Sequence, residues 1–255
     1  MAQDTFQRLR NRFNLLKFKT KLWLAGTYFT LFKNGKVILN GVEFIVPKNL
    51  TDIQLRGQLQ VGFYEREERR HLKKYLDPQA SVLELGGCLG VIACITNKML
   101  RNPKQHVVVE ANPELIEHLE RNKNHTGSSF AVEHCIVSNK PEITFFIGDS
   151  ILGSSARRQS QRKVTVQGKT VAELERTHQI RFDTLIMDIE GAELEFLREN
   201  HEWLRQVNTV IAEIHEHPDY LTNEEVAECK MILEQAGLRL EVVDGLTWVL
   251  KRPNN

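Results

Sequence analysis

The fold is decided by residues 81–90, which read Ser81-Val82-Leu83-Glu84-Leu85-Gly86-Gly87-Cys88-Leu89-Gly90. The pattern predicts a short apolar strand, a glycine-rich turn and a helix from about residue 91. A second apolar strand, Val107-Val108-Val109, then ends on Glu110. Turn glycines let the backbone pass close under a ligand, and a strand-end carboxylate can accept hydrogen bonds from both hydroxyls of a ribose. These features predict a Rossmann-type half-site for a nucleoside-containing ligand.

The spacing within this loop indicates which ligand is bound. A dinucleotide fingerprint requires GxGxxG, but the third position counted from Gly86 is Cys88 and the sixth is Val91. The loop instead has the form ExGxxxG, from Glu84 to Gly90, which is the form that binds S-adenosylmethionine. That molecule carries a cationic amino group and a sulfonium but no phosphate, so an acid beside the loop suits it. We therefore expect S-adenosylmethionine as the cofactor.

Composition indicates a soluble globular protein. Hydrophobic residues make up 41% and charged residues 26% of the 255 residues, which is ordinary for a folded domain. The four cysteines are scattered and form no CxxC spacing, which is typical of a reduced, cytoplasmic protein. The longest apolar stretch, residues 22–32, is shorter than the roughly 20 residues that a membrane span needs.

Residues 1–75 are predicted to form a basic extension. The first 36 residues carry eight Lys or Arg against one Asp, with apolar residues at three-to-four spacing from Phe6 to Trp23, so we expect a basic amphipathic helix. A hairpin at Asn40-Gly41 and a charged helix over 65–75 follow. The apolar helix face is expected to pack on the catalytic body or on another copy, and the alternative is peripheral docking of residues 1–32 on an anionic membrane.

Residues 76–255 are predicted to form the main domain, a doubly wound α/β sheet. We expect strands near 81–85, 106–110, 130–137, 142–147, 182–187, 208–214, 238–243 and 246–251. Helices are expected near 91–101, 113–124, 170–177, 191–200 and 223–236. This alternation predicts a mostly parallel, Rossmann-like sheet, and the Asp244-Gly245 turn predicts that the last two strands form an antiparallel hairpin. That architecture is associated with class I methyltransferases.

A second group of acids follows the predicted strand over 182–187. Asp188, Glu190 and Glu193 come directly after it, at the strand end where α/β proteins place their ligands. The alternative is that Glu190 and Glu193 only stabilise the first turn of the next helix. We expect Asp188 to be functional.

From Val82 to His215 the chain resembles the FkbM family of S-adenosylmethionine-dependent methyltransferases. The resemblance is strongest at Asp188-Ile189-Glu190-Gly191-Ala192-Glu193, and the 84–90 loop, residues 110–113 and Ser154-Ser155 ahead of 164–166 support it. The family implies O-methylation of a hydroxyl on a sugar or a polyketide-type molecule. The chain departs from the family at Gly87-Cys88, usually Ala-Asn, at Ile186, usually Lys, and at Ala111, usually Pro.

Three sets of residues are predicted for the site. The predicted cofactor contacts are Glu84, Gly86, Gly87, Cys88, Gly90, Glu110, Ala111 and Asp188. The candidates for the base that accepts the hydroxyl proton are Asp188, Glu190 and His215, the last as a neutral imidazole. Contacts with a small-molecule or glycan acceptor are predicted for Ser155, Arg157, Arg158 and Glu193, with the basic segment 154–163 as a lid for an anionic acceptor or merely a solvated connection.

Several alternatives remain open from the sequence. A divalent metal on Asp188, Glu213 and His215 is conceivable but not favoured, since spacing alone does not show that these groups converge. Glu213, His215 and His217 would share one face if the strand persisted. A nicotinamide-dependent oxidoreductase and a non-catalytic binding protein are the competing functions. Nucleic acid is not expected as a partner, because the chain lacks interleaved aromatic and basic residues.

Overall fold

The structure of the protein is a computed structural model that describes residues 2–148, 162–217 and 219–253, with side chains from Leu16 onward. The chain divides into two compact units, Met1–Arg66 and Glu67–Asn255. Three predicted acceptor contacts, Ser155, Arg157 and Arg158, lie outside the described residues, as does most of the predicted lid. Over the described ranges, no helix is both long and apolar enough to cross a membrane.

The first unit contains two helices and a hairpin: α1 (Ala2–Phe32), β1 (Lys36–Leu39), β2 (Val42–Ile45) and α2 (Ile53–Val61). The two helices touch through their backbones. A Cβ on Gly26 would lie 1.9 Å from the carbonyl oxygen of Ile53, and one on Gly57 would lie 2.0 Å from that of Leu22. Side chains at these two positions would force the helices apart.

The hairpin is confirmed, whereas α2 is absent from the sequence-based prediction. Asn40 and Gly41 both have positive φ, at 49° and 79°, as a two-residue turn between antiparallel strands requires. For α2 the available signals were the caps: the Asp52 carboxylate accepts a hydrogen bond from the N–H of Leu55, and Gly62 ends the helix in the left-handed conformation. The segment 53–61 lacks a strong helical period of apolar residues, and caps alone do not predict a helix.

The second unit is built on a seven-stranded sheet. In chain order its strands are β3 (Val82–Leu85), β4 (His106–Glu110), β5 (Ala131–His134), β9 (Thr184–Met187), β10 (Thr209–Glu213), β11 (Arg239–Asp244) and β12 (Thr247–Lys251). The spatial order is β11-β12-β10-β9-β3-β4-β5. All neighbours from β5 to β10 run parallel, and β12 runs antiparallel to both β10 and β11. The predicted doubly wound sheet with an antiparallel C-terminal hairpin is confirmed.

The helices of this unit are α3 (Arg66–Tyr75), α4 (Val91–Met99), α5 (Pro113–Thr126), α6 (Val171–His178), α7 (Glu193–Glu199) and α8 (Asn223–Gln235), and a short 3-10 helix spans Trp203–Gln206. Local chemistry sets their starts. Thr170 and Thr222 each form a capping box with a Glu three residues later, which satisfies backbone N–H groups that the helix itself leaves unpaired. The central strands β3, β4 and β9 are buried along their whole length, as expected for a parallel sheet covered on both faces.

One part of the predicted strand pattern is wrong. The predicted strand over 130–137 is interrupted, and its end, β6 (Ile136–Val137), joins β7 (Glu142–Ile147) and β8 (Arg162–Lys169) in a separate three-stranded sheet. β7 and β8 pair antiparallel, and β8 was not predicted. In β7, the side chains of one face (Ile143, Phe145 and Ile147) are more buried than those of the other face (Glu142, Thr144 and Phe146). Such alternation is typical of a half-exposed antiparallel strand, whereas central parallel strands are continuously apolar.

Candidate active site

Four parallel strands end side by side at one edge of the main sheet, in the order β4, β3, β9, β10. Their register places Leu85 opposite Val109 and Met187, and Met187 opposite Ala212. The residues that follow these strands therefore meet at one edge. This is the edge at which open α/β sheets bind ligands.

The glycine loop after β3 is pressed against the end of β9. Gly86 has a φ of +90°, and a Cβ on it would lie 1.8 Å from the carbonyl oxygen of Asp188, so the position accepts only glycine. The N–H of Asp188 donates a 2.9 Å hydrogen bond to the carbonyl of Leu85. The structure thus holds a predicted catalytic residue beside the predicted cofactor loop.

The remaining loop residues are also fixed by close packing. A Cβ on Gly87 would lie 2.7 Å from the side chain of Val108, and Gly90, with a φ of +79°, precedes the first turn of α4. Cys88 adopts a φ of +44° although it is not glycine. A non-glycine residue in this region costs about 1 kcal/mol or more, which the surrounding contacts must offset.

Glu110 closes this loop from the neighbouring strand. Its carboxylate accepts hydrogen bonds from the N–H of Cys88 at 2.7 Å and the N–H of Asn112 at 2.6 Å. Burial raises the pKa of Glu110, and the N–H donors oppose that rise. The N–H of Ala111 also donates to this carboxylate, and because a carboxylate has about four lone-pair positions, it can still accept a hydrogen bond from a ribose hydroxyl. The arrangement fits the nucleoside role predicted for Glu110.

Glu84, the acid of the ExGxxxG loop, is held inside the core. It is 1% exposed, and its Oε2 lies 3.1 Å from Nε2 of His106. Its Oε1 is buried with no hydrogen-bond partner among the described residues. Burial raises the pKa of Glu84, and the hydrogen bond to His106 opposes the rise. The carboxylate is therefore buried below the loop, and its partner His106 is not predicted by any local sequence pattern.

A dense group of ionisable residues lies where β9 and β10 end. We name Asp188, Glu190, Glu213 and His215 the acidic cluster. Nε2 of His215 is 3.6 Å from Oδ1 of Asp188, 3.6 Å from Oε2 of Glu213 and 3.8 Å from Oε2 of Glu190. The structure therefore brings together all three predicted candidates for the base, and Glu213 with them.

His215 is oriented from behind by Glu193. Nδ1 of His215 lies 2.6 Å from Oε1 of Glu193, and the same oxygen accepts a hydrogen bond from the N–H of Gly191. Glu193 is completely buried. The sequence predicted Glu193 as an acceptor contact, but the structure places it behind the imidazole, where it directs Nε2 toward the three carboxylates.

The turn after β9 aims Glu190 back into the cluster. Glu190 has a φ of +50° and Gly191 a φ of +96°, and a Cβ on Gly191 would lie 2.7 Å from the ring of Tyr220. The Tyr220 ring packs 5.5 Å from that of His215. Tyr220 is a wall of the site that sequence reasoning missed, since a lone aromatic in a loop carries no specific signal.

The charges in the cluster strongly perturb one another. Burial, and then the Asp188 carboxylate, raise the pKa of Glu190 to about 7 and that of Glu213 to about 8. Burial lowers the pKa of His215, but its hydrogen bond to Glu193 and the Asp188 carboxylate outweigh this and raise it to about 9. A pKa raised in this way favours the protonated form of His215, whereas the sequence-based prediction is a neutral imidazole as the base.

Two other predicted positions lie apart from the cluster. β10 ends at Glu213, so the strand does not persist to His217, which is exposed and faces Asp219 at 3.7 Å. Ala111 is half-buried, packs against the small sheet, and its carbonyl oxygen lies 3.2 Å from Nε2 of His134. Of the three residues that were expected to share one face, Glu213 and His215 therefore lie in the acidic cluster and His217 does not.

Comparison with known proteins agrees with the geometry. The model of the methyltransferase FkbM domain matches residues 84–240, which is more than half of the chain. No curated protein sequence matches the chain.

Solved structures resemble the chain at low sequence identity. A precorrin-6y C5,15-methyltransferase from Geobacter metallireducens GS-15 is 10% identical with a TM-score of 0.46, covering 81% of this chain and 92% of that one. A TehB-like SAM-dependent methyltransferase from Corynebacterium glutamicum is 14% identical with a TM-score of 0.40, covering 73% and 87%. A Pyrococcus abyssi tRNA (uracil-54, C5)-methyltransferase in complex with S-adenosyl-L-homocysteine is 12% identical with a TM-score of 0.49, covering 85% and 43%.

The strand order, the ExGxxxG loop and the family match agree with one another. They identify a class I methyltransferase fold. They favour a methyltransferase over the two competing functions, a nicotinamide-dependent oxidoreductase and a non-catalytic binding protein. The chain is an S-adenosylmethionine-dependent methyltransferase and belongs to the FkbM methyltransferase family.

Proposed function

We propose that the protein transfers a methyl group to a hydroxyl oxygen of a sugar, a glycan or a similar polyhydroxylated small molecule. The observation that carries this proposal is the acidic cluster, which lies at the end of β9 against the glycine loop. Asp188 touches both regions: its backbone packs on Gly86, and its carboxylate is 3.6 Å from His215. A group of carboxylates is well suited to accept hydrogen bonds from several hydroxyls of one acceptor.

The chemistry requires a proton acceptor close to the reacting hydroxyl. S-adenosylmethionine supplies an electrophilic methyl group on sulfur, and Glu110 would hold its ribose. As the carbon–oxygen bond formed and the carbon–sulfur bond broke, the hydroxyl proton would pass to a carboxylate of the cluster, and the location of Asp188 and Glu190 next to the loop supports either as its acceptor. His215, oriented by Glu193, would contribute positive charge next to these carboxylates as long as no cation is bound there.

The test measures where the methyl group is attached. The purified chain is incubated with S-adenosylmethionine and matched sets of small glycosides, phenols, amines and carboxylic acids. We expect S-adenosylhomocysteine release with the glycosides, and a methyl ether that resists mild base, identified by mass spectrometry. Transfer only to nitrogen, to carbon or to a carboxylate, which gives a base-labile ester, would contradict the proposal.

We also propose that α1 docks on an anionic membrane surface. Trp23, Leu24, Leu31 and Phe32 are exposed, the last two by 66% and 67%. Lys17, Lys19 and Lys21 are exposed on the same helix. Exposed aromatic and aliphatic side chains beside lysines have the chemistry of an interfacial helix, and the positive charge favours an anionic lipid over a second copy of the same basic helix.

Vesicle sedimentation tests this docking. The full chain should sediment with phosphatidylcholine vesicles only when they contain phosphatidylserine, and less as salt is raised. Leu31→Gln with Phe32→Gln should weaken the binding, whereas Met231→Gln, an exposed apolar position on α8, should not. Absence of vesicle binding together with concentration-dependent dimerisation would assign the surface to self-association instead.

A further inference from the structure

The geometry points to a binding site for one divalent cation of the Mg²⁺ or Mn²⁺ class, formed by Asp188, Glu213 and His215. The site would hold the acceptor oxygen during methyl transfer, and this part of the inference rests on the proposed function. The binding of the ion itself does not, because it follows from the arrangement of the three side chains.

The three side chains converge closely enough to share an ion. One ligand atom from each can be chosen so that all three lie within 4.8 Å of one another, and the imidazole Nε2 is 3.6 Å from each carboxylate. Ligands bound about 2.1 Å from one ion lie about 3 Å apart when adjacent in an octahedron and about 4.2 Å apart when opposite. Movements of the three ligand atoms by about 1 Å would therefore bring them to coordination distance of one ion.

His215 is arranged as metal-binding histidines are. Its side chain is only 9% exposed, and its Nδ1 is engaged by Glu193, itself fixed by the N–H of Gly191. A hydrogen bond from Nδ1 to a carboxylate leaves the lone pair on Nε2, and carboxylate–histidine–metal chains have this construction. Nε2 points at the carboxylates. A bound cation would therefore take the place of the proton that Nε2 carries when the imidazole is protonated.

The carboxylates provide a second, independent observation. Oδ1 of Asp188 is buried and has no hydrogen-bond partner within the described part of the chain, although it faces His215. Three carboxylates surround one imidazole, and Glu193 adds a fourth behind it. A buried carboxylate oxygen without a hydrogen bond is costly, and a divalent cation bound to Asp188 would compensate for the missing hydrogen bond.

The ligand types select the class of cation. Two carboxylates without a thiolate favour a hard cation such as Mg²⁺ or Mn²⁺ over soft metals, and of these two the imidazole nitrogen suits Mn²⁺ better. Three protein ligands leave about three positions of an octahedron for water or for acceptor oxygens. An acceptor hydroxyl bound there would lose its proton more readily, and that proton would pass to Glu190, whose Oε2 is 3.8 Å from Nε2 of His215. The carbon–oxygen bond would form as the carbon–sulfur bond breaks.

Mn²⁺ binding to the chelator-stripped full chain tests the site directly. Free Mn²⁺ is followed by electron paramagnetic resonance, with no cofactor or acceptor present. We expect one Mn²⁺ per chain, binding at least tenfold more weakly in Asp188→Asn and His215→Gln, and about tenfold more weakly in Glu193→Gln, which acts only through His215. Matched controls are Glu202→Gln and His201→Gln, both exposed and located before β10 at its opposite end, and these should bind like the wild type.

The outcomes separate this inference from the proposed function. No saturable Mn²⁺ binding by the wild type, or unchanged binding in both Asp188→Asn and His215→Gln, would overturn the metal site, even if glycosides are methylated. Mn²⁺ binding with the expected variant pattern supports the site, even if no hydroxyl is methylated. If circular dichroism shows that either variant is unfolded, Glu213→Gln replaces it, since Glu213 is partly exposed at the strand end.

Discussion

Two groups of acids near the same edge of the sheet differ in burial and in their partners: Glu84 and Glu110 are buried, whereas the side chains of the acidic cluster's carboxylates are 22–30% exposed. Glu84 and Glu110, which we call the loop acids, are held by His106 and by backbone N–H groups of the loop. In the acidic cluster the carboxylates of Asp188 and Glu213 instead share one imidazole at 3.6 Å. Within the described residues, Oδ1 of Asp188 and Oε1 of Glu84 each lack a hydrogen-bond partner.

The difference indicates which acids build the site and which act in it. A carboxylate that accepts backbone N–H bonds, as that of Glu110 does, fixes the position of a loop. Carboxylates that crowd around one histidine are stable only at a cost, which proteins accept where a ligand provides the compensation. This difference supports the proposal that Glu110 shapes the cofactor site and that the acidic cluster binds the acceptor.

The largest effect is expected for Asp188→Asn. The amide keeps the shape of the side chain but cannot accept a proton or bind a cation well, so kcat/KM for methyl transfer should fall by about 10²- to 10⁴-fold. Steady-state release of S-adenosylhomocysteine with the best acceptor measures it, and Glu202→Gln is the control. A loss below tenfold would remove Asp188 from the reaction and weaken the distinction between the two groups of acids.

A smaller effect, on the cofactor, is expected for Glu110→Gln. A glutamine has one acceptor oxygen, so the N–H of either Cys88 or Asn112 loses its partner, at a cost of about 1–3 kcal/mol. We expect S-adenosylhomocysteine to bind about 10- to 100-fold more weakly, as measured by isothermal titration calorimetry. The control, Glu117→Gln, changes an exposed acid on α5. Unchanged affinity would show that Glu110 does not shape the cofactor site.

Stability, unlike activity, should increase when a carboxylate of the acidic cluster is removed. Glu213→Gln removes a carboxylate whose pKa the Asp188 carboxylate helps to raise to about 8, so the chelator-treated variant should be more stable than the wild type, by about 1 kcal/mol. Thermal unfolding in the presence of EDTA measures the change. A variant that melts below the wild type would mean that Glu213 already has adequate partners in the folded protein.

The same contrast explains how much could be predicted from the sequence. The order of the main strands, the glycine loop, Glu110 and Asp188 were predictable, because apolar runs and strand-end acids are local signals. The partners His106 and Tyr220 were not, because they reach the site from other segments through tertiary packing. The position of Glu193 behind His215 was missed for the same reason: the sequence places Glu193 beside Asp188 but does not tell which way a side chain in the first helical turn points.

The smallest effect, and the most specific to the loop acids, is expected for Glu84→Gln. Burial raises the pKa of Glu84 above its usual 4.5, so the folded state holds the proton more tightly than the unfolded state. The wild type therefore loses stability as pH rises from about 4.5 through the raised pKa, and stability levels off beyond it. The glutamine cannot ionise, and its amide oxygen can still accept from His106.

The melting temperature of Glu84→Gln minus that of the wild type should therefore increase from pH 5 to pH 8, by a few degrees at most. Differential scanning fluorimetry across this range measures it, with Glu117→Gln as a control whose difference stays constant. A difference that shrinks as pH rises would mean that the ionised carboxylate stabilises the fold by pairing with a charged His106. Glu84 would then be compensated by an ion pair, as Asp188 is by His215.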